Sequence, residues 1–263
     1  MSKIINIVKT LLVTYYAYML EYRAELFLWA ISGSLPFILM GIWIKAAGQG
    51  GGYGLEPVQF ARYFLAAFIV RQMNVVWVIW EFEKEVVQGK LSPRLLQPVD
   101  PVWHHLISHI SERFARLPFI LGLILLFFAL YPASFWVPSV GNILLFLLIV
   151  IVAFCLRFLI QYTFAMFAFW IERASAIEQF WFLIYLFLSG MIAPLDVFPD
   201  AVRTVVEWTP FPYLVYFPAA LLVGLPVNVG RGLLVMLAWS AVFFVLNRWL
   251  WKRGLKHYSG MGA

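Results

Sequence analysis

Charge is scarce in this sequence. Asp, Glu, Lys and Arg make up 12% of its 263 residues, against ~25% in an ordinary soluble domain. That shortage excludes a soluble globular fold. Together with several apolar runs of about 20 residues it indicates an all-α polytopic membrane protein. No polar tract is long enough to fold separately, so residues 1–263 read as one membrane domain. Cysteine is nearly absent as well. Cys155 stands alone, forms no intrachain disulfide, and says nothing about redox compartment. Lys3 and Lys9 open the chain, but no small-residue cleavage site follows a compact apolar core, which argues against a cleavable signal peptide. Neither a nucleophile–base arrangement nor a pair of carboxylates suited to hydrolysis is present. A nucleotide site is missing too. The cluster Gly48, Gly50, Gly51, Gly52 and Gly54 lacks the Gly-Lys-Ser/Thr that would cradle phosphates, and it reads as a flexible connection.

What the chain does have is apolar length. Six spans are predicted, at about 26–47, 58–80, 114–131, 142–170, 177–195 and 228–251. With that count the N-terminus, the 81–113 connection, the 171–176 connection and the C-terminus share one side. Thirteen of the 19 basic residues fall on that side, while Lys45, Arg62, Arg203 and Arg231 fall on the other. The positive-inside rule then places both termini in the cytoplasm. The net charge of +6 is a topology signal and gives little support to nucleic-acid binding.

Two segments outside the spans have their own pattern. In residues 3–22 Lys3, Asn6, Thr10, Thr14, Ala17 and Glu21 form a stripe opposite Ile4, Val8, Leu11, Leu12, Tyr15, Met19 and Tyr22. This predicts a helix lying flat at the membrane surface, within an interfacial region of residues 1–25. Between residues 195 and 226 the prolines at 199, 210, 212, 218 and 226 forbid one continuous helix, yet the stretch is too apolar for a free loop. Short re-entrant helices on the outer side satisfy both constraints.

The most charged stretch follows the second span. Glu81, Glu83 and Glu85 alternate with Lys84 in a helix-like run that reaches Lys90; Gly89 permits a turn, and Pro93 and Pro98 set the exit direction. Such a run is either a solvated loop or a docking element. Two arginines lie deep in spans: Arg71, with Asn74 and Trp77 following, and Arg157, with Gln161 one turn on. Ionisable groups at that depth cost at least ~2.5 kcal/mol on insertion scales, so each should face protein or water. Lining a pathway and bonding to neighbouring carbonyls are both open readings. No carboxylate is expected at matching depth, which weighs against a simple acidic trap for a cation. Aromatic faces offer an alternative, with Trp77, Phe164, Phe167, Trp170, Phe180 and Trp181 as candidates. His104, His105 and His109 invite a metal reading, but two histidines on one face lack a third ligand. A solvated interfacial cluster is the simpler expectation.

The flat N-terminal helix, the acidic helix with its Gly-Lys-Leu turn and Leu-Leu-Gln-Pro-Val-Asp-Pro run at residues 81–101, and the Ser-Gly…Pro-Leu…Phe-Pro…Pro-Phe pattern at residues 189–211 together resemble the permease subunit of a type-2 ABC exporter. Within that group the chain is most similar to the bacterial viologen- and drug-exporter branch. The resemblance implies a multi-pass subunit of the bacterial cytoplasmic membrane. It pairs with a second permease, identical or homologous, and with ATP-binding cassette ATPase subunits that hold the ATP and magnesium. It also implies that residues 81–101 form the cytosolic coupling loop, with Glu81, Glu85, Gly89, Lys90, Leu91 and Arg94 engaging the ATPase. Arg71, Asn74, Trp77, Arg157 and Gln161 then become pathway candidates. The substrate expected is a small amphipathic or cationic compound. A lipid or polysaccharide exporter and a membrane enzyme acting on lipid are the alternatives.

Overall fold

The computed structural model describes residues 2–32, 35–49 and 54–258. Gly50, Gly51 and Gly52 of the glycine cluster lie outside them. Among the described residues the secondary structure is helical, with no strand. In chain order the helices are α1 (Ser2–Glu21), α2 (Arg23–Ser32), α3 (Leu35–Gly48), α4 (Pro57–Asn74), α5 (Val78–Val87), α6 (Leu91–Leu95), α7 (Pro101–Leu130), α8 (Val140–Ala165), α9 (Ser175–Leu188), α10 (Asp200–Val206), α11 (Tyr216–Val223) and α12 (Val229–His257), with single 3-10 turns between several of them. Four stretches are long and apolar enough to cross a membrane: α4–α5 taken together, α7, α8 continued through Phe169, and α12. α3 and α9 are shorter apolar helices. The chain is an all-α polytopic membrane protein.

α4 is the axis of the molecule. Pro57 opens it, and Glu56 and Gln59 form a capping box that satisfies the first free N–H groups. From Phe60 to Val70 nearly every side chain is buried, against α3, α7, α8 and α11. A helix apolar on all faces must be enclosed on all faces. α7 and α12 are the opposite case. Only 22% of the most apolar window in each is buried, against 67% in α4–α5, so much of their apolar surface is left uncovered by the described residues.

Three expected spans take a different form. The second, expected as one helix over 58–80, is interrupted at Val75–Trp77, where the backbone is not helical. The first corresponds to α2 and α3. The fifth, expected to reach residue 195, stops at Leu188. Gly190 makes that stop: its φ is +89°, and a Cβ there would lie 2.6 Å from Tyr216 Cβ and 2.6 Å from the Tyr63 hydroxyl. Tyr63 donates to the Gly190 carbonyl at 2.7 Å, which seats the turn on α4.

The proline-rich segment beyond this turn folds back. α10 is an exposed single helix, whereas every residue of α11 from Tyr216 to Leu222 is buried between α4 and α8. Arg203 ties the segment together through Glu207 at 3.1 Å and Asp196 at 3.7 Å, and Arg231 of α12 reaches Glu207 at 2.5 Å. Burial opposes the Arg203 charge. The Tyr216 phenol, Glu207 and Asp196 outweigh it, so the guanidinium is held more firmly protonated than usual.

The histidine cluster is a correction. α7 does not begin at Phe114; it is one helix from Pro101, capped by Asp100, whose carboxylate accepts the Val102 N–H at 3.0 Å. α1 packs along its first turns, with the Leu12 carbonyl accepting from Ser111 at 3.3 Å and Tyr15 next to His104 at 3.4 Å. With α5 on the other side, His105 and His109 are buried, not solvated.

Candidate functional site

The interruption between α4 and α5 is held by side chains from other helices. Arg113 of α7 donates from Nε to the Met73 carbonyl at 2.5 Å, from Nη2 to the Val75 carbonyl at 2.7 Å, and from Nη1 to the His109 carbonyl. Its guanidinium also lies over the Phe154 ring, 3.7 Å from the centroid. His109 Nδ1 faces the His105 carbonyl at 2.8 Å, and its Nε2 accepts the Trp77 N–H at 2.9 Å. The first bond requires a proton on Nδ1 and the second a lone pair on Nε2, so this ring is the neutral Nδ1–H tautomer. Asn74 Nδ2 donates to the Leu214 carbonyl at 3.0 Å. Backbone groups freed inside a membrane protein must find partners, and here α7 supplies them.

Beside the interruption lies a cavity of about 330 Å³. Arg71, Asn74, Trp77, Arg157 and Gln161, which sequence reasoning had singled out in two separate spans, all line it. The expectation that no carboxylate lies at matching depth is corrected here. Glu178, in the first turn of α9, faces the same space: its Oε1 accepts from Arg157 at 2.8 Å and from Gln161 at 2.6 Å. The hairpin of α8 and α9 causes this, because the turn at residues 166–174 brings the start of α9 back alongside α8. Arg157 also lies 4.4 Å from the centroid of Tyr185. Among the described residues Arg71 has no ion pair, and its buried Nη1 has no hydrogen-bond partner. The buried atoms Arg157 Nη1, Gln161 Oε1, Glu178 Oε2 and Asn74 Oδ1 are also without one. Trp80 and Phe182 form a half-open apolar rim.

The other aromatic candidates are elsewhere. Phe164 and Trp181 pack together with centroids 5.3 Å apart, Phe167 and Trp170 face α12, and Phe180 is exposed.

The charged stretch after the cavity is an elbow, not a free loop. α5 turns at Gly89, whose φ is +70°, a left-handed conformation that glycine adopts without Cβ strain, and α6 follows. Glu85 is buried and paired with Arg94 at 2.9 Å, and His105 stands 3.3 Å from both Glu81 and Glu85. Leu91 is fully buried with Phe82, Phe169 and Leu250 in a second apolar cluster. Of the six predicted coupling residues, then, Glu85, Gly89 and Leu91 build the elbow from inside. Lys90 is exposed, and Glu81 and Arg94 are half-buried. The outer face adds residues that the sequence did not mark, above all Leu96, 88% exposed; Val87 and Leu95 are exposed as well. No group of three His, Cys, Asp or Glu side chains suited to a metal occurs among the described residues.

One further contact joins elbow and cavity. The Glu83 carboxylate accepts the Ser175 N–H at 2.6 Å and its hydroxyl at 3.1 Å. Ser175 opens the helix that carries Glu178.

The family model for ABC-2 family transporter proteins matches residues 28–262, nearly the whole chain. No curated protein matches it.

Proposed function

Since the chain belongs to the ABC-2 transporter family, we propose that it is the permease subunit of an ATP-driven exporter and that the cavity beside the α4–α5 interruption is its substrate site. The observation that carries this reading is the convergence of Arg71, Asn74, Trp77, Arg157 and Gln161 on one space, next to non-helical backbone. Transporters place irregular backbone where it lines a binding cavity. The cargo is a small compound with both polar and apolar parts, moved out of the bacterial cytoplasm across the inner membrane, with both termini of the subunit cytoplasmic.

ATP and magnesium belong to a separate ATPase subunit, which meets the elbow formed by α5 and α6 through Lys90, Leu95 and Leu96 on its outer face. Glu81, Glu85, Gly89, Leu91 and Arg94 give that elbow its shape. Two permeases, identical or homologous, pair across the exposed apolar helices. The Glu83–Ser175 contact gives the elbow a grip on α9, so displacement of α5 shifts Glu178 against Arg157 and alters the cavity. A single-cysteine variant, Leu96→Cys on a Cys155→Ser background, tests the arrangement: it should cross-link to a nucleotide-hydrolysing subunit in intact membranes, and the cross-link should stop transport. A cross-link formed only from the opposite face of the membrane would defeat the reading.

A further inference from the structure

The ionic inventory of the cavity assigns a class to its cargo. Three charged side chains line it: Arg71, Arg157 and Glu178. The carboxylate is already engaged, by Arg157 at 2.8 Å and by Gln161 at 2.6 Å, and Tyr185 closes one face of Arg157. The second guanidinium remains. Arg71 is half-buried and, among the described residues, makes no ion pair and carries a buried Nη1 with no partner. Of the other wall groups, Asn74, Trp77 and Tyr185 are neutral, and Arg157, the charged group close enough to act on Arg71, is also positive. An uncompensated positive charge at such depth is costly, and a ligand that brings the counter-charge recovers that cost on binding.

The rest of the wall is apolar, with Trp77 and Trp80 tilted against each other at 5.7 Å and Phe182 opposite on α9. A space of about 330 Å³ is at the lower end of ligand-pocket sizes, ~300–1,000 Å³. It holds a head group and a short apolar segment. Longer chains leave over the open rim.

Resting on the permease reading, we propose that the cavity selects an anionic amphiphile: a carboxylate, phosphate or sulfonate pairs with Arg71, and the apolar body lies on Trp77, Trp80 and Phe182. A cation, by contrast, meets two guanidinium groups against a single carboxylate, whose Oε1 is already engaged by Arg157 and Gln161. The same head-group chemistry occurs in a free amphiphile and in an anionic membrane lipid.

The test is binding to the full chain in phosphatidylcholine nanodiscs, read by tryptophan fluorescence without ATP. Dodecyl phosphate and dodecyltrimethylammonium share a tail and differ in charge. The wild type should bind the phosphate at least ~10-fold more tightly than the ammonium compound. Arg71→Gln should abolish that preference, and Arg71→Lys should keep most of it and so exclude a folding defect. Glu178→Gln, which releases Arg157, should tighten phosphate binding further. Competition by phosphatidylglycerol assigns the head group to a lipid, and failure to compete assigns it to a free amphiphile; both support anion selection. Equal affinity for the two probes, or an unchanged phosphate affinity in Arg71→Gln, overturns the inference. Because the readout needs no transport, that result leaves the permease reading standing, and loss of transport with intact anion preference does the reverse.

Discussion

The two halves of the interrupted helix are built on different physics. Around α4 the contacts are apolar on every side, from Phe60 through Val70, with α11 and α8 completing the enclosure. Around α5 the apolar cluster is smaller, and the helix is tied outward by directed polar contacts: Glu81 and Glu85 to His105, Glu85 to Arg94, and Glu83 to Ser175. Close-packed apolar surfaces resist small displacements. Ionic and hydrogen-bonded contacts are individually replaceable and depend on direction. The comparison points to a fixed half that defines the cavity wall and a half that can be shifted as a unit, with Val75–Trp77 as the joint.

The joint itself should give the largest effect. Arg113→Ala strands the Met73 and Val75 carbonyls, while the His109 carbonyl keeps its helical partner. Each buried orphan costs about 1–3 kcal/mol, so a loss on the order of 4 kcal/mol is expected. Thermal unfolding of the purified chain in detergent should show it as a large drop in Tm and loss of a monodisperse species. A wild-type melting curve would mean that the interruption needs no clamp. Arg113→Lys should rescue little, because a point ammonium cannot serve three carbonyls arranged around a planar fork.

Next comes the ion pair inside the cavity. Glu178→Gln leaves Arg157 buried without its counter-charge, at a cost of about 3 kcal/mol. Arg157→Gln should cost a similar amount, and the double variant Arg157→Gln/Glu178→Gln should recover much of the loss. A double-mutant cycle on unfolding midpoints gives the coupling. Additive losses would show that the pair at 2.8 Å contributes nothing jointly.

Glu83→Ala should matter less for stability, about 1 kcal/mol, since Glu83 and Ser175 are both partly solvated. Its effect on coupling should be larger. In vesicles containing the permease and its ATPase, hydrolysis should continue while transport falls ~10-fold. Parallel loss of both activities would remove Glu83 from the link between elbow and cavity.

How much of this was readable from the sequence depends on where each signal originates. Arg71, Asn74, Arg157 and Gln161 were legible because polar side chains stand out in apolar runs, and burying them demands a polar environment. The ABC-2 membership was carried by the elbow and the proline-rich segment, whose turns are written in local Gly and Pro. The joint was not legible. Residues 75–77 contain neither Gly nor Pro, and the break is imposed by Arg113 and His109, more than 30 residues away in the chain. Glu178 was passed over because it sits at the end of an apolar run, where a charge looks solvated. Only closing the α8–α9 hairpin brings it level with Arg157. The histidines were misread for a related reason: nothing local shows that α1 and α5 cover the first turns of α7.

The smallest effect on stability is expected on the outer face of the elbow, and it sharpens the contrast most. Lys90 and Leu96 are exposed and make no contact that the fold needs. Lys90→Glu and Leu96→Asp should therefore unfold within about 0.5 kcal/mol of the wild type. If the outer face is where force enters, the same variants should lose co-purification with the ATPase subunit and abolish ATP-dependent transport, while dodecyl phosphate binding in nanodiscs stays intact. Glu85→Lys is the internal control. It reverses a buried charge between Arg94 and His105, so it should disturb the elbow's own structure and raise its hydrogen-exchange rate. Coupling lost in Glu85→Lys but retained in Lys90→Glu and Leu96→Asp would place the contact with the ATPase somewhere other than this face. It would also reduce the elbow to a structural brace for the joint.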